Sequence, residues 1–149
     1  MSMIFRFEVV IKCPMADVFG FFRDIEKHTG QEGTVVPIYD KLTPGQAREG
    51  TRYREVVQLA PFLRGEMISE VTCYQEGRRL GYQFSGLGMD GELNYFFYEV
   101  GEGTRVVQEQ SLRPHGILRL FSFWIEAMFS KAAEKRLESI QILLERKQK

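Results

Sequence analysis

Hydrophobic and polar residues alternate near the start of the chain. Phe5, Phe7, Val9 and Ile11 take every second position, with Arg6, Glu8, Val10 and Lys12 between them. A period of two puts the first set on one face of a strand and predicts that this face is buried. Pro14 stops the strand and suits the first turn of a helix. Ala16, Val18, Phe19, Phe21 and Phe22 then supply a short, mostly apolar helix. Residues 24–33 are polar, carry two glycines, and read as a second short helix or a loop. Residues 35–42 read as a strand, which Pro37 places at an edge or a bulge because proline has no N–H for the ladder.

The alternation returns after the turn signal Thr43-Pro44-Gly45. Tyr53, Glu55, Val57 and Leu59 share one side of a strand over residues 50–59, and Ala60-Pro61-Phe62 leads into another over 64–74. Glu76-Gly77-Arg78 makes a hairpin connection to a strand with Leu80, Tyr82 and Phe84 on one face. Gly86, Gly88 and Gly91 break the next stretch before residues 93–100 resume, and Gly101-Glu102-Gly103 turns into a last strand over 104–112. Serial short strands joined by short turns predict an antiparallel meander. The period then changes. Leu118, Phe121, Ile125, Met128 and Ala132 recur at three and four residues, Phe129, Ala133, Leu137, Ile140 and Leu144 continue the stripe, and Glu126, Glu134, Lys135, Glu138 and Glu145 take the other side. Pro114 and Gly116 set the start of this helix, and roughly 30 residues at about 1.5 Å each would span about 45 Å.

Composition narrows the function classes. The 149 residues are one domain in length, and 44% of them are hydrophobic, enough for a core that needs no disulfide or metal. With 20 basic and 20 acidic residues the formal charge is zero, which argues against a nucleic-acid partner. Cys13 and Cys73 lack metal-site spacing, and His28 and His115 fall in loops without a ligating neighbour. No metal and no cofactor are therefore expected. The first apolar stretch is interrupted by Arg6 and Glu8, and no run approaches a membrane span, so the expectation is a cytoplasmic protein without stable membrane insertion.

The order of these pieces resembles a known family. Ile11-Lys12-Cys13-Pro14 followed by Asp17-Val18-Phe19 and Asp24, then Glu49-Gly50-Thr51, Glu70-Val71, Gly77-Arg78-Arg79-Leu80 and Gly103-Thr104-Arg105-Val106, look like the START-related, pollen-allergen-like superfamily. Its bacterial members are often called polyketide cyclase/dehydrase or SRPBCC proteins. The resemblance covers essentially the whole chain and implies an α+β helix-grip fold over residues 1–149. Such a fold has a curved, seven-stranded antiparallel sheet around a long C-terminal helix, with two short helices after the first strand. It also implies an apolar cavity between sheet and helix for a lipid, polyketide, quinone or similar molecule. The family has no universal catalytic set, so no catalytic residue carries over.

Strand phase then selects candidates. Tyr53, Glu55, Tyr82, Phe84, Gln108 and Gln110 are expected to face the cavity, with Phe121, Ile125 and Met128 opposite on the helix. Residues 94–98 are aromatic on both faces, and Tyr95 and Phe97 are assigned to the concave one. A packed core would account for the aromatics, but not for Glu55, Gln108 and Gln110, since buried polar groups need partners. Glu55 is the candidate for acid-base work because an apolar cavity would raise its pKa. A pairing with Arg52, Arg54 or Arg64, or a solvent-facing position, is the plainer account of it.

Three readings follow. The first is a binding protein for a small hydrophobic molecule. The second is a cyclase or dehydratase in which Glu55 and Tyr82 transfer protons. The third is an interaction protein with a filled core, whose residues Leu120, Phe123 and Trp124 stand off the main helical stripe and could join two copies as a homodimer. Loops covering that side are the plainer account of those three residues.

Overall fold

The computed structural model describes residues 3–28, 38–60 and 63–147. Among them are β1 (Met3–Ile11), α1 (Met15–Arg23), β2 (Ile38–Lys41), β3 (Arg52–Ala60), β4 (Leu63–Gln75), β5 (Arg79–Gly86), β6 (Met89–Val100), β7 (Gly103–Pro114) and α2 (Ser122–Lys147). One 3-10 turn, Ile25–His28, follows α1, and a second, Gly116–Phe121, precedes α2. The expected continuation of the first turn through Gly33, the expected strand start at residues 35–37, and Pro61-Phe62 lie outside the described residues.

All seven strands join one antiparallel sheet in the order β1-β7-β6-β5-β4-β3-β2. The meander from β2 to β7 thus places consecutive strands side by side, and β1 closes onto β7, with Phe5 opposite Gln110 and Phe7 opposite Gln108. Pro14 caps α1, Asp17 lies in its first turn and Arg23 in its last, the order that suits a helix dipole. Its apolar side buries Val18, Phe19, Phe21 and Phe22.

Curvature has identifiable causes. Register shifts break the β3–β4 ladder between Gln58 and Ala60 and the β4–β5 ladder between Val71 and Cys73, and such bulges bend strands. Gly91 permits a close approach of neighbouring strands: a Cβ there would lie 2.0 Å from the Ser111 carbonyl oxygen and 2.7 Å from the Phe84 ring. Gly103 is required for a similar reason, because its Cβ would meet the Ile11 carbonyl oxygen at 2.2 Å.

The concave face holds two apolar clusters. One joins α1 and the C-terminal half of α2 to the sheet through Phe19, Phe22, Leu80, Phe97, Leu137 and Ile140. The other lies under the start of α2 and includes Met3, Phe5, Met67, Phe84, Leu112 and Ile125. Partly buried Phe7 and Leu93 pack against both.

The helical stripe differs from its expected course. Ile125, Ala133, Leu137, Ile140 and Leu144 are the buried positions of α2, with Phe129 partly buried beside Ile125. Ala132 is exposed, and Phe121 is 52% exposed. The reason is local winding. Phe121 ends a 3-10 turn, which has about three residues per turn, so the phase of that turn does not carry into an α-helix of about 3.6. Leu120, Phe123 and Trp124 are also exposed, as is Ile117. No loop of the described residues covers them.

Candidate functional site

The site is assembled on the concave face between the two clusters. Tyr39 on β2 stands opposite Glu55 on β3, and Glu55 stands opposite Met67 on β4. Tyr82 on β5 pairs with Leu93 on β6, and Leu93 pairs with Gln110 on β7. Leu80, Tyr95 and Gln108 form the adjacent row. Because alternate residues of a strand share a face, this one surface collects tyrosines, glutamines and a carboxylate.

Four tyrosines run across it. Ring centroids lie 6.1 Å apart for Tyr39 and Tyr53, 6.4 Å for Tyr53 and Tyr82, and 6.3 Å for Tyr82 and Tyr95. Each successive pair meets edge to face, the arrangement that aromatic quadrupoles prefer. Burial pushes all four phenols above their ordinary range, so they stay neutral at physiological pH. The Tyr53 hydroxyl is buried and has no hydrogen-bond partner among the described residues.

Arg136 reaches down from α2 into this surface. Its Nη2 donates to the Tyr39 hydroxyl at 2.8 Å, its guanidinium lies over the Tyr39 ring at 5.1 Å, and its Nη1 stands 3.9 Å from Glu55 Oε1. The side chains are 15% exposed for Arg136 and 20% for Glu55. Burial raises the Glu55 carboxyl above the ordinary carboxylate range; Arg136 and a hydrogen bond with Tyr39 oppose this only in part. For Arg136, burial favours the neutral form, but Tyr39, Tyr95 and Glu55 outweigh it and keep the guanidinium charged.

A carboxyl whose pKa is raised on folding opposes the native state once ionised. The unfolded chain loses its proton first as pH rises, so stability falls as pH climbs from the ordinary glutamate value through the native one, and the penalty is complete above that. Glu55→Gln removes the titration. Its melting temperature is therefore expected to equal or exceed that of the unmodified protein near neutral pH, with a flatter profile above about pH 4.5. Thermal denaturation followed by circular dichroism across pH 4–8 checks this. A variant less stable at pH 7 than at pH 4.5, relative to the unmodified chain, contradicts it.

The sequence candidates divide by position. Tyr53, Phe84, Tyr95, Phe97, Gln108 and Ile125 are buried on the concave side, and Gln108 Nε2 donates to Gln110 Oε1 at 3.4 Å. Glu55, Tyr82, Gln110 and Met128 are partly exposed. Phe121 is directed to solvent instead of into this group. The hydroxyl that bonds Glu55 belongs to Tyr39, while Tyr82 stands beyond Tyr53. Arg54, expected near Glu55, pairs on the outer face with Asp40 and Glu66. Arg64's side chain lies outside the described residues. Tyr39 and Arg136 were not anticipated from the sequence. An open depression beside the β4–β5 turn, lined by Gln75, Glu76, Arg78, Arg79 and Phe96, shares only Phe97 with the candidate set.

Comparison with known proteins agrees with this fold. Residues 3–145 match the family described as polyketide cyclase/dehydrase and lipid transport. The chain belongs to that family. Its fold is that of the Zhui aromatase/cyclase from Streptomyces sp. R1128, with a TM-score of 0.82 at 13% identity over 100% of this chain and 97% of that one. TTHA0849 from Thermus thermophilus aligns with a TM-score of 0.78 at 19% identity over 95% and 97% of the two chains. The di-domain ARO/CYC StfQ from the steffimycin biosynthetic pathway gives 0.76 at 10% identity, covering 99% of this chain and 52% of its own. No curated protein sequence matches the chain. Among the described residues no cluster of three or more His, Cys, Asp or Glu side chains could hold a metal. No helix there is long and apolar enough to cross a membrane.

Proposed function

We propose that this member of the family binds a small hydrophobic molecule between α2 and the concave face of the sheet. One observation carries the reading. Tyr82, Leu93 and Gln110 lie on middle strands and point toward the helix, yet they keep accessible surface. The phenol of Tyr82 is raised because protein surrounds it closely. A residue both enclosed and reachable borders internal space. The walls of that space are apolar and aromatic with a few polar groups, the usual make-up of a small-molecule site. Family membership supports the same class of ligand.

The test uses the uncharged dye N-phenyl-1-naphthylamine, whose emission rises in apolar surroundings. Saturable binding is expected, and Leu93→Trp, which fills the middle of the face, should weaken it about tenfold or more. Native mass spectrometry of protein purified from cells gives a second readout, as a bound small molecule that leaves on activation. A protein that takes up no dye and carries no such molecule has a filled interior, and the proposal fails.

A cyclase or dehydratase is the second reading. Its support is Glu55, a carboxyl raised by burial and hydrogen-bonded to Tyr39 within the same space. Raised carboxyls are suited to proton transfer near neutral pH. Glu55→Gln with unaltered dye binding and unaltered turnover of a co-purified molecule would dismiss it.

A further inference from the structure

Resting on the reading that an apolar molecule enters beneath α2, we propose that this molecule carries an acidic oxygen, as a carboxylate or the enolate of a 1,3-dicarbonyl, and that Arg136 receives it. A guanidinium presents five N–H donors in a rigid fork. Among the described residues one of them is used at Arg136, by Nη2 to Tyr39 at 2.8 Å. The 3.9 Å from Nη1 to Glu55 exceeds hydrogen-bond reach. Nε is buried with no partner among the described residues. Buried donors are normally satisfied, and buried charges normally sit against a close counter-ion.

The described surroundings do not supply that counter-ion in full. Glu55 is the one carboxylate within ion-pair distance of Arg136 among the described residues, and burial biases it toward its neutral form. The four nearby phenols are neutral as well. Among the described residues a positive charge is thus held with too few acceptors, beside the enclosed but reachable surface of Tyr82 and Leu93. An oxyanion whose apolar body lay along those two residues would give the fork a charge-assisted partner, the stronger kind of hydrogen bond. A hydrocarbon would leave the donors stranded, and an amine would add like charge.

Two dyes separate this inference from the reading beneath it. 8-Anilinonaphthalene-1-sulfonate and N-phenyl-1-naphthylamine share one apolar skeleton and differ by the sulfonate. Arg136→Met is expected to weaken the sulfonate about tenfold or more and the neutral dye less than about threefold. Arg136→Lys keeps the charge but loses the fork, and should weaken the sulfonate severalfold while leaving the neutral dye unchanged. Glu55→Gln should raise the sulfonate affinity severalfold by removing whatever negative charge Glu55 still places 3.9 Å from the guanidinium. Those two conservative variants give the answer if the methionine variant does not fold. Equal losses of both dyes in Arg136→Met, or a sulfonate affinity indifferent to both Arg136→Lys and Glu55→Gln, overturns the inference while leaving the internal space intact. If the unmodified protein binds neither dye, the space itself is absent and the inference falls with it.

Discussion

Gly91→Ala is expected to destabilise the protein by about 3 kcal/mol and lower its melting temperature by roughly 6–12 °C. The added methyl would stand 2.0 Å from the Ser111 carbonyl oxygen and 2.7 Å from the Phe84 ring. The phenyl ring can rotate away, but the oxygen belongs to the backbone of the neighbouring strand. Strands β6 and β7 would have to separate where Gly91 faces Leu112. That row also contains Phe84, so the damage reaches the second apolar cluster. Differential scanning calorimetry reads the effect. A melting temperature within a degree or two of the unmodified protein would mean that β7 does not approach Gly91 this closely.

Ile140→Ala is expected to cost about 3 kcal/mol or more, within the usual range for deleting a buried aliphatic side chain. Ile140 is completely inaccessible and lies in the cluster that joins α2 to α1, β5 and β6. The close approach of the helix backbone is to β1. Across the rest of the sheet the contact is made by side chains, so a truncated one leaves a void that the backbone is poorly placed to close. Ile142 provides the control. It is two residues away on the same helix and 55% exposed, so Ile142→Ala should change stability by less than about 0.5 kcal/mol. Urea titration of the pair measures both. Equal effects would mean that the helix is rotated from the orientation described here.

The architecture could be read from the chain because each element repeats one period long enough to be recognised. Alternation at Phe5, Phe7, Val9 and Ile11 marks β1 without help from tertiary context. The long stripe through Leu137, Ile140 and Leu144 does the same for α2. Phe121 escaped that logic because a 3-10 turn has a different pitch, and nothing in Ile117-Leu118-Arg119-Leu120 signals the change. Arg136 escaped it for the opposite reason. It lies three residues after Ala133 and four before Ile140, squarely on the buried stripe, but a charged residue there reads as an interruption rather than a member. A cation at a stripe position of an otherwise apolar helix face was the available signal. Tyr39 falls in the strand read over residues 35–42, of which Ile38–Lys41 is described, and no alternation there assigned it a face. Partnership across elements, such as that of Glu55 with a helix more than 80 positions later in the sequence, has no local trace at all.

The pairing of β1 with β7 has a consequence for synthesis. The first strand emerges from the ribosome with its hydrogen-bonding edge vacant, and the mate for that edge, Gly103–Pro114, is translated after every other strand. The meander from β2 onward can zip up step by step behind it, since each strand there pairs with the next. Until β7 arrives, Phe5 and Phe7 remain open to water and to other nascent chains. Slowing translation before residue 103 should therefore prolong an aggregation-prone interval, and a chaperone that shields early strands should raise the yield of native protein most when expression is fast.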